Sequence, residues 1–371
     1  WHGTHVASTA GAELTNNARG MAGIAHGAKI LPVRVLGHCG GYDSDINDAI
    51  VWAAGGHVDG VPDNTHPAKV INLSLGGPGK CKARDPAAQA VAAANALGAV
   101  VVVAAGNEDI DASKTSPASC PGVITVASTG ITSRRAFYSN YGKAVEIAAP
   151  GGGVYENDAD SGTPVNDGFI WQALNSGATT PVPNDTLYGG YAGTSQATPH
   201  VAGVVALMQS ARLAAGMALM TPAEVLATLQ QTAHAPSVKP PANRRIGAGI
   251  VDADAAVRAA VGDGDATVLT NGVPLMGQSG SAGSSTVYML SVPAGVHTLS
   301  LRADGGRGNV SMYVKAGAAG GASDYDYKSA RPGNRESVVV PRPAAGSWYV
   351  TVVGETAFTG MNVVGSFRAP R

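Results

Sequence analysis

The apolar run "GAVVVVAAGN" at residues 98–107 constrains the fold more than any other stretch of this chain. Its β-branched centre is apolar on both faces of an extended strand, and Gly106-Asn107 ends it. Strands buried on both faces are typical of parallel sheets covered by helices. The run is also far shorter than the roughly 20 apolar residues that cross a membrane. It therefore predicts a central strand of an α/β protein.

Other short apolar runs have the same character and alternate with helical segments over residues 1–262: "AKILPVRVLG", "AKVINLSLGG", "GVITVAST" and "AVEIAAPGG". Asp85-Pro86 supplies an N-cap and a first-turn proline for one helix, and Gly98 ends it. Thr221 and Glu224 have the capping-box spacing of another helix. The alternation predicts a layered α/β fold with a parallel sheet and right-handed crossovers.

The helical pattern stops near residue 262. We predict a Gly/Ser-rich linker and start of the tail at 263–285, with a small all-β sandwich over 267–369. The strands predicted there are "VYMLSV", "HTLSLRA", "VSMYVKA", "ESVVVP" and "SWYVTVVG".

Composition narrows the possible partners. A net charge of −1 gives no support for a nucleic-acid or anionic-membrane partner, and 44% hydrophobic residues argue against disorder. The chain begins at Trp1, inside what looks like a motif and without an initiator Met or signal peptide, so we expect it to be a fragment. Its cysteines, Cys39, Cys81 and Cys120, are either unrelated thiols or one bridge plus a residue whose partner is missing.

Three short motifs carry candidate chemistry. His2 opens "HGTH" as a possible base, and Ser195 lies in "GTSQATPH", before a helix expected to begin around Thr198-Pro199. Asn107, pushed from a strand end by glycine, is a possible oxyanion donor. Each has an ordinary alternative: a structural histidine, a helix-capping serine and a turn asparagine.

Taken in order, HGTH, SLGG, AAGN and GTSxAxPH resemble the subtilisin-like serine peptidases across residues 1–262. The resemblance implies a three-layer α/β fold with a mostly parallel central sheet, whose first strand is expected to be missing here. The stretches "VRVLGHCGGYDSDI" and "YSNYG…IAAPGG" are similar to the extracellular enzymes of Gram-negative bacteria. The resemblance implies His2 as general base and acid, Ser195 as nucleophile and Asn107 as oxyanion donor. It also implies a substrate-binding edge and pocket wall made by Ser74, Leu75, Gly76, Ala104, Ala105 and Gly106. His5 and His200 are expected to be structural.

In this family the triad aspartate precedes the HGTH motif, so no residue here corresponds to it. Removing it from subtilisin itself lowers kcat by roughly 3 × 10⁴. We therefore expect the 371 residues alone to be poorly active.

The resemblance also implies a Cys81–Cys120 disulfide and an upstream partner for Cys39. It places a structural calcium in "AELTNNARGMAGIA", with oxygens from Thr15, Asn17, Arg19 and Met21. No organic cofactor is expected.

This sequence departs from the family at two motif positions. Gln196 stands where the family usually has Met, and Ser8 where it has Gly. The stretch 152–188 is longer than the family core and is expected to cover one side of the cleft.

Residues 267–369 resemble the bacterial pre-peptidase C-terminal domain. Asn309 and Ser311 occupy positions that are usually acidic in that family, which argues against a metal role there.

We expect a secreted, monomeric serine endopeptidase acting on polypeptides. The alternative is a catalytically silent relative that only binds. A lipase-type hydrolase would need Gly-x-Ser-x-Gly, but Ala197 stands at its fifth position, and the HExxH of zinc peptidases is absent.

Overall fold

The computed structural model describes residues 1–12, 20–185, 187–262 and 266–368. The chain divides into two compact units. One contains Trp1–Ser210 and Ala218–Val257, and the other contains Ala211–Met217 and Arg258–Arg371. Within the described ranges, no helix combines the length and apolar character needed to cross a membrane.

A parallel sheet forms the centre of the first unit, as the sequence predicts. Its order is β1-β3-β5-β6, with every neighbouring pair parallel. The strands of this unit are β1 (Val70–Leu73), β2 (Gly77–Pro78), β3 (Val100–Ala104), β4 (Thr115–Ser116), β5 (Ile124–Thr129), β6 (Ile147–Pro150), β7 (Ile170–Ala173) and β8 (Tyr188–Tyr191). All five residues of β3 are buried, so the valine run is the central strand of the α/β layer.

The α-helices of the described residues are α1 (His2–Ala7), α2 (Asp43–Ala53), α3 (Pro86–Ala96), α4 (Thr194–Ala214), α5 (Pro222–Thr232) and α6 (Ala253–Ala260). Ile50 of α2 and Val91 of α3 pack in one buried cluster with Val101 and Val103 of β3. Thr221 and Glu224 form the predicted capping box at the start of α5. These contacts bury the apolar faces that the helical periodicity indicates.

The predicted strand "AKILPVRVLG" is wrong. Residues 28–36 form no strand, and Ile30, Leu31, Val33 and Leu36 are each 37–40% exposed. A strand needs a neighbour for its backbone hydrogen bonds, and this stretch pairs with no other strand among the described residues.

The remaining strands of the first unit form two-stranded ribbons. β2 pairs with β4, and β7 pairs with β8 in antiparallel register from Ile170–Tyr191 to Ala173–Tyr188. The β7–β8 hairpin belongs largely to the long 152–188 stretch and leads into α4.

The second unit is the predicted sandwich, with one sheet ordered β10-β17-β12-β15 and the other β14-β13-β16-β11-β9. Its strands are β9 (Thr267–Val268), β10 (Leu275–Gly280), β11 (Ser285–Val292), β12 (Thr298–Asp304), β13 (Val310–Ala316), β14 (Tyr327–Ser329), β15 (Glu336–Pro341), β16 (Gly346–Gly354) and β17 (Phe358–Phe367). Alternate residues from both sheets form the core, among them Leu290, Leu301, Met312, Val350 and Met361. β9 and β10 lie inside the stretch predicted as linker and start of the tail.

Asn309 and Ser311 serve the internal bonding of this sandwich. Asn309 Oδ1 accepts a hydrogen bond from the Gly333 backbone at 2.7 Å, and Ser311 Oγ donates to Glu355 at 2.5 Å. Both side chains therefore join neighbouring segments of the sandwich.

Candidate active site

Ser195 is the second residue of α4, which begins at Thr194 rather than at the predicted Thr198-Pro199. Pro199 lies inside the helix and has no N–H to donate to the carbonyl of Ser195, four residues earlier. Ser74 Oγ donates to that carbonyl instead, at 2.8 Å. In return Ser195 Oγ donates to the Ser74 carbonyl at 3.3 Å. Ser74 of the SLGG segment thus supplies the hydrogen bond that α4 loses at Pro199.

Asn107 follows β3 at a turn that requires glycine, because Gly106 has φ +105°. Its Oδ1 accepts hydrogen bonds from Thr194 N at 2.8 Å and from Thr194 Oγ1 at 2.9 Å. With the oxygen occupied, the Nδ2 amide remains as a donor beside Ser195. An amide held in this way costs little reorganisation when negative charge develops nearby.

Asn140 holds the turn that carries Asn107, a role that the sequence analysis missed. It is fully buried, and its Oδ1 accepts from the backbone N–H groups of Glu108 and Ile110 at 3.1 and 3.0 Å. Its Nδ2 donates to the Ala105 carbonyl at 2.9 Å and to Glu108 Oε2 at 2.8 Å. Its only signal in the sequence was the stretch "YSNYG", which carries no direct mark of chemistry.

His2 lies near the start of α1 and is partly exposed to solvent. Desolvation lowers the pKa of its imidazole. Within the part of the chain that the structure describes, no carboxylate contributes to that pKa or hydrogen-bonds the ring.

The other two motif histidines contact backbone carbonyls. His5 is fully buried, shares Nε2 with the carbonyls of Ile170 and Gly189, and stacks on Tyr191 with ring centroids 4.6 Å apart. His200 Nδ1 lies 2.8 Å from the Gln196 carbonyl oxygen. Burial lowers the pKa of both.

Two cavities meet at Asn107 and Ser195. The first, which we call the SLGG-side cavity, has a volume of about 400 Å³. It is lined by predicted substrate-binding residues: Leu75, Gly76, Ala104, Ala105 and Gly106. Ser74 lies beside this cavity and is hydrogen-bonded to Ser195. The structure therefore brings the SLGG edge and the AAG wall together next to the proposed nucleophile.

The second, which we call the His2-side cavity, has a volume of about 470 Å³. It is lined by His2 and, like the first, by Asn107 and Ser195. Val154 and Phe169 of the long stretch contribute to its wall, together with Tyr191 of β8. Asp158 ties that stretch to the core, accepting hydrogen bonds from the backbone N–H groups of Ile131 and Thr132 at 3.1 and 2.7 Å. The sequence indicated that this stretch would cover the cleft but did not indicate which residues would line it.

The structure joins Cys81 to Cys120 in a disulfide, whereas Cys39 is exposed and unbridged among the described residues. Most of the expected calcium loop, Thr15, Asn17 and Arg19, lies outside the described residues. Met21, the remaining member, is 39% exposed. The calcium site therefore stays a prediction.

Residues 1–249 match the family model described as the subtilase family, and residues 284–354 match the bacterial pre-peptidase C-terminal domain. The chain is 44% identical to an extracellular protease of Xanthomonas campestris, over 99% of this chain and 60% of that protein. It is 47% identical to an extracellular basic protease of Dichelobacter nodosus, over 71% of this chain and 40% of that protein. It thus spans only about half the length of these relatives.

A solved structure supports the fold independently. A protease of Pseudoalteromonas arctica is similar with a TM-score of 0.62 and 45% identity, covering 70% of this chain and 71% of that one. The family match covers most of the chain and includes the helix of His2, the strand before Asn107 and the helix of Ser195. The chain therefore belongs to the subtilase family.

Proposed function

We propose that this chain carries the catalytic centre of a serine endopeptidase that cleaves peptide bonds through an acyl-enzyme. The carrying observation is that His2, Asn107 and Ser195 line one cavity, with the Asn107 oxygen engaged by Thr194. A base, a nucleophile and an oxyanion donor around one space are the parts that acyl transfer needs.

In the first step Ser195 Oγ attacks the substrate carbonyl while His2 takes the hydroxyl proton. Before this, the hydroxyl must release the Ser74 carbonyl, to which it donates at 3.3 Å. The negative charge that develops on the carbonyl oxygen is stabilised by Asn107 Nδ2 and by the backbone N–H of Ser195. His2 then donates its proton to the leaving amine, and water hydrolyses the ester with His2 again as base.

The two cavities suggest how a polypeptide lies across the site. An extended substrate would pair with Ser74–Gly76 and place the side chain before the scissile bond in the SLGG-side cavity. The leaving segment would lie in the His2-side cavity, because the histidine that protonates the amine lines it.

The names of the relatives support an extracellular location, since two are called extracellular proteases. The Cys81–Cys120 disulfide supports it as well, because disulfides persist in oxidising compartments.

We also propose that these 371 residues are poorly active when tested alone. A carboxylate normally holds the imidazole in the correct tautomer and stabilises its protonated form. Among the described residues, none is hydrogen-bonded to His2.

A fluorophosphonate probe tests the proposal. The natural gene product that contains this chain is treated beside the 371-residue chain, and the adduct is located by peptide mass spectrometry. We expect the natural product to be labelled at Ser195, the shorter chain to be labelled far more slowly, and Ser195→Ala to be unlabelled. If Ser195 of the natural product does not react, the chain is a silent binding protein and the proposal fails.

A further inference from the structure

Val154, in the wall of the His2-side cavity, has a backbone conformation that a β-branched residue rarely adopts. Its φ is +69°, in the left-handed region, where the branched side chain crowds the backbone. Such residues persist only where the surrounding structure holds them, and they occur often at functional sites. Val154 lines the same cavity as His2 and Ser195. The contacts that hold Val154 therefore bear on how a substrate fits beside the proposed catalytic residues.

Val154 stands at the base of a loop that returns to the cavity at Phe169. Two backbone hydrogen bonds close this base, from Val154 N to the Gly168 carbonyl at 2.8 Å and from Val165 N to the Val154 carbonyl at 3.1 Å. Phe169, the residue after Gly168, lines the same cavity. These bonds fix the two ends of the loop to each other. The place of the cavity wall therefore depends on what fixes the loop to the parallel sheet.

Asp158 fixes this loop to the segment that follows β5. The residue is 3% exposed. Its carboxylate accepts hydrogen bonds from the Ile131 N–H at 3.1 Å and from the N–H and hydroxyl of Thr132 at 2.7 and 2.5 Å. All three partners act as donors, and an ionised carboxylate is the side-chain group that offers only acceptors. Asp158 is therefore matched to this place by its hydrogen-bonding chemistry.

The same carboxylate packs against the residue that precedes Val154. A Cβ on Gly153 would lie 2.0 Å from Asp158 Oδ1, and a Cβ on Gly130 would lie 1.9 Å from that oxygen. Asp158 thus fills the space between the end of β5 and the base of the loop. Movement of the carboxylate would release Gly153, and with it the strained backbone of Val154.

The wall that is held in this way is apolar. Val154 and Phe169 line the cavity there together with Ala192. Apolar side chains gain free energy when such a surface removes them from water. Because the leaving segment of the substrate is proposed to lie in this cavity, its side chains would meet this wall.

We propose that Asp158 is a positioning residue for substrate selection, which holds Val154 and Phe169 where they contact apolar side chains of the leaving segment. Asp158 does not line the cavity and acts only through this wall. This inference rests on the proposed peptidase function and adds to it a residue that sets the selectivity for the leaving segment.

Two quenched fluorescent peptides test this role in the natural gene product. They share one sequence up to the scissile bond and continue with either Leu-Ala-Leu or Gly-Gly-Gly, and mass spectrometry verifies which bond is cleaved. We expect the wild type to favour Leu-Ala-Leu about tenfold in kcat/KM, the effect of a partly buried apolar side chain. In Asp158→Asn an NH₂ group replaces one acceptor and faces donors. The ratio should then fall to about twofold, while Gly-Gly-Gly keeps a kcat/KM near the wild-type value.

Asp160→Asn is the matched control, because it removes the same charge from the same loop. Asp160 is exposed, and its carboxylate accepts a hydrogen bond from the neighbouring Ser161 hydroxyl at 3.3 Å. This variant should keep the wild-type ratio. Gly153→Ala disturbs the contact from the other side, because its methyl group would collide with Asp158 Oδ1, and should lower the ratio as Asp158→Asn does. If Asp158→Asn does not fold, Thr132→Val replaces it, since it removes only the hydroxyl donor.

The inference is overturned if the wild type does not favour Leu-Ala-Leu, or if Asp158→Asn keeps the wild-type ratio. An equal fall in kcat/KM for both peptides has the second meaning, because Asp158 would then support the fold as a whole. An equal change of the ratio in Asp160→Asn would also overturn it. The ratio does not depend on the fraction of folded enzyme, so partial unfolding cannot imitate the expected result. Failure of the proposed function gives a separate result, in which neither peptide is cleaved and Ser195 forms no fluorophosphonate adduct.

Discussion

The side-chain oxygen of Asn107 accepts both the backbone N–H and the hydroxyl of Thr194, at 2.8 and 2.9 Å. The same hydroxyl accepts a hydrogen bond from the Gly106 backbone at 3.1 Å. The first residue of α4 therefore sets the orientation of the proposed oxyanion donor, while the next residue, Ser195, supplies the nucleophile. This contact holds the end of β3 against the start of α4, so that the oxyanion donor and the nucleophile lie close together.

Replacing Thr194 by Val tests that contact. The variant keeps the backbone donor but loses the hydroxyl, so the Asn107 amide should spend less time in its productive orientation. We expect kcat to fall about tenfold with little change in KM, against about 10²–10³ for removing the donor entirely in Asn107→Ala. Steady-state kinetics on a peptide substrate measures both constants. Thr194→Ser, which retains a hydroxyl, is the control, and an unchanged kcat in Thr194→Val would contradict the assignment.

Asn140 is expected to act on catalysis only through the Asn107 turn. Asn140→Ala leaves the Glu108 and Ile110 N–H groups unpaired, so we expect a loss of about 3 kcal/mol in unfolding free energy and a lower kcat. The loss in kcat should largely disappear when Asn107 is already Ala, because no oxyanion donor is left to position. Denaturant titration in a Ser195→Ala background, which prevents self-digestion, measures stability. A kcat loss of equal size in both backgrounds would show that Asn140 acts elsewhere.

Sequence patterns predicted the elements whose signal is local. The valine run of β3, the capping box of Thr221 and the alternating strands β11, β12, β13, β15 and β16 each depend on neighbouring residues. The order of the motifs predicted His2, Asn107 and Ser195 as site residues, because the chemistry restricts the residue types around them.

The long-range contacts could not be predicted in this way. Ser74 and Ser195 are 121 positions apart, and the bond between them matters only because α4 includes Pro199. The strand predicted at 28–36 does not form, because a strand-like sequence does not reveal whether a neighbouring strand is present to pair with it.

The buried histidine of α1 makes stability depend on pH. Burial lowers the pKa of His5 in the folded state, whereas the unfolded value is about 6.5. Between the folded and unfolded pKa values the unfolded chain binds more protons, so stability rises with pH and is lost as pH falls below about 6.5. Urea titrations at several pH values, again with Ser195→Ala, should show a shallower pH dependence for His5→Gln than for the parent. Equal slopes would assign the effect to other groups.

The hydrogen bond from Ser74 to the Ser195 carbonyl can be tested with a second substitution that makes it unnecessary. Ser74→Ala removes the donor to the Ser195 carbonyl and should cost about 1–3 kcal/mol of unfolding free energy. Pro199→Ala restores a backbone N–H four residues after that carbonyl, so the helix can satisfy it internally. The cost of Ser74→Ala should therefore fall below about 1 kcal/mol when Pro199 is already Ala. Urea denaturation of the four members of this cycle measures the coupling. Simple additivity would mean that the Ser195 carbonyl does not depend on the Ser74 hydroxyl.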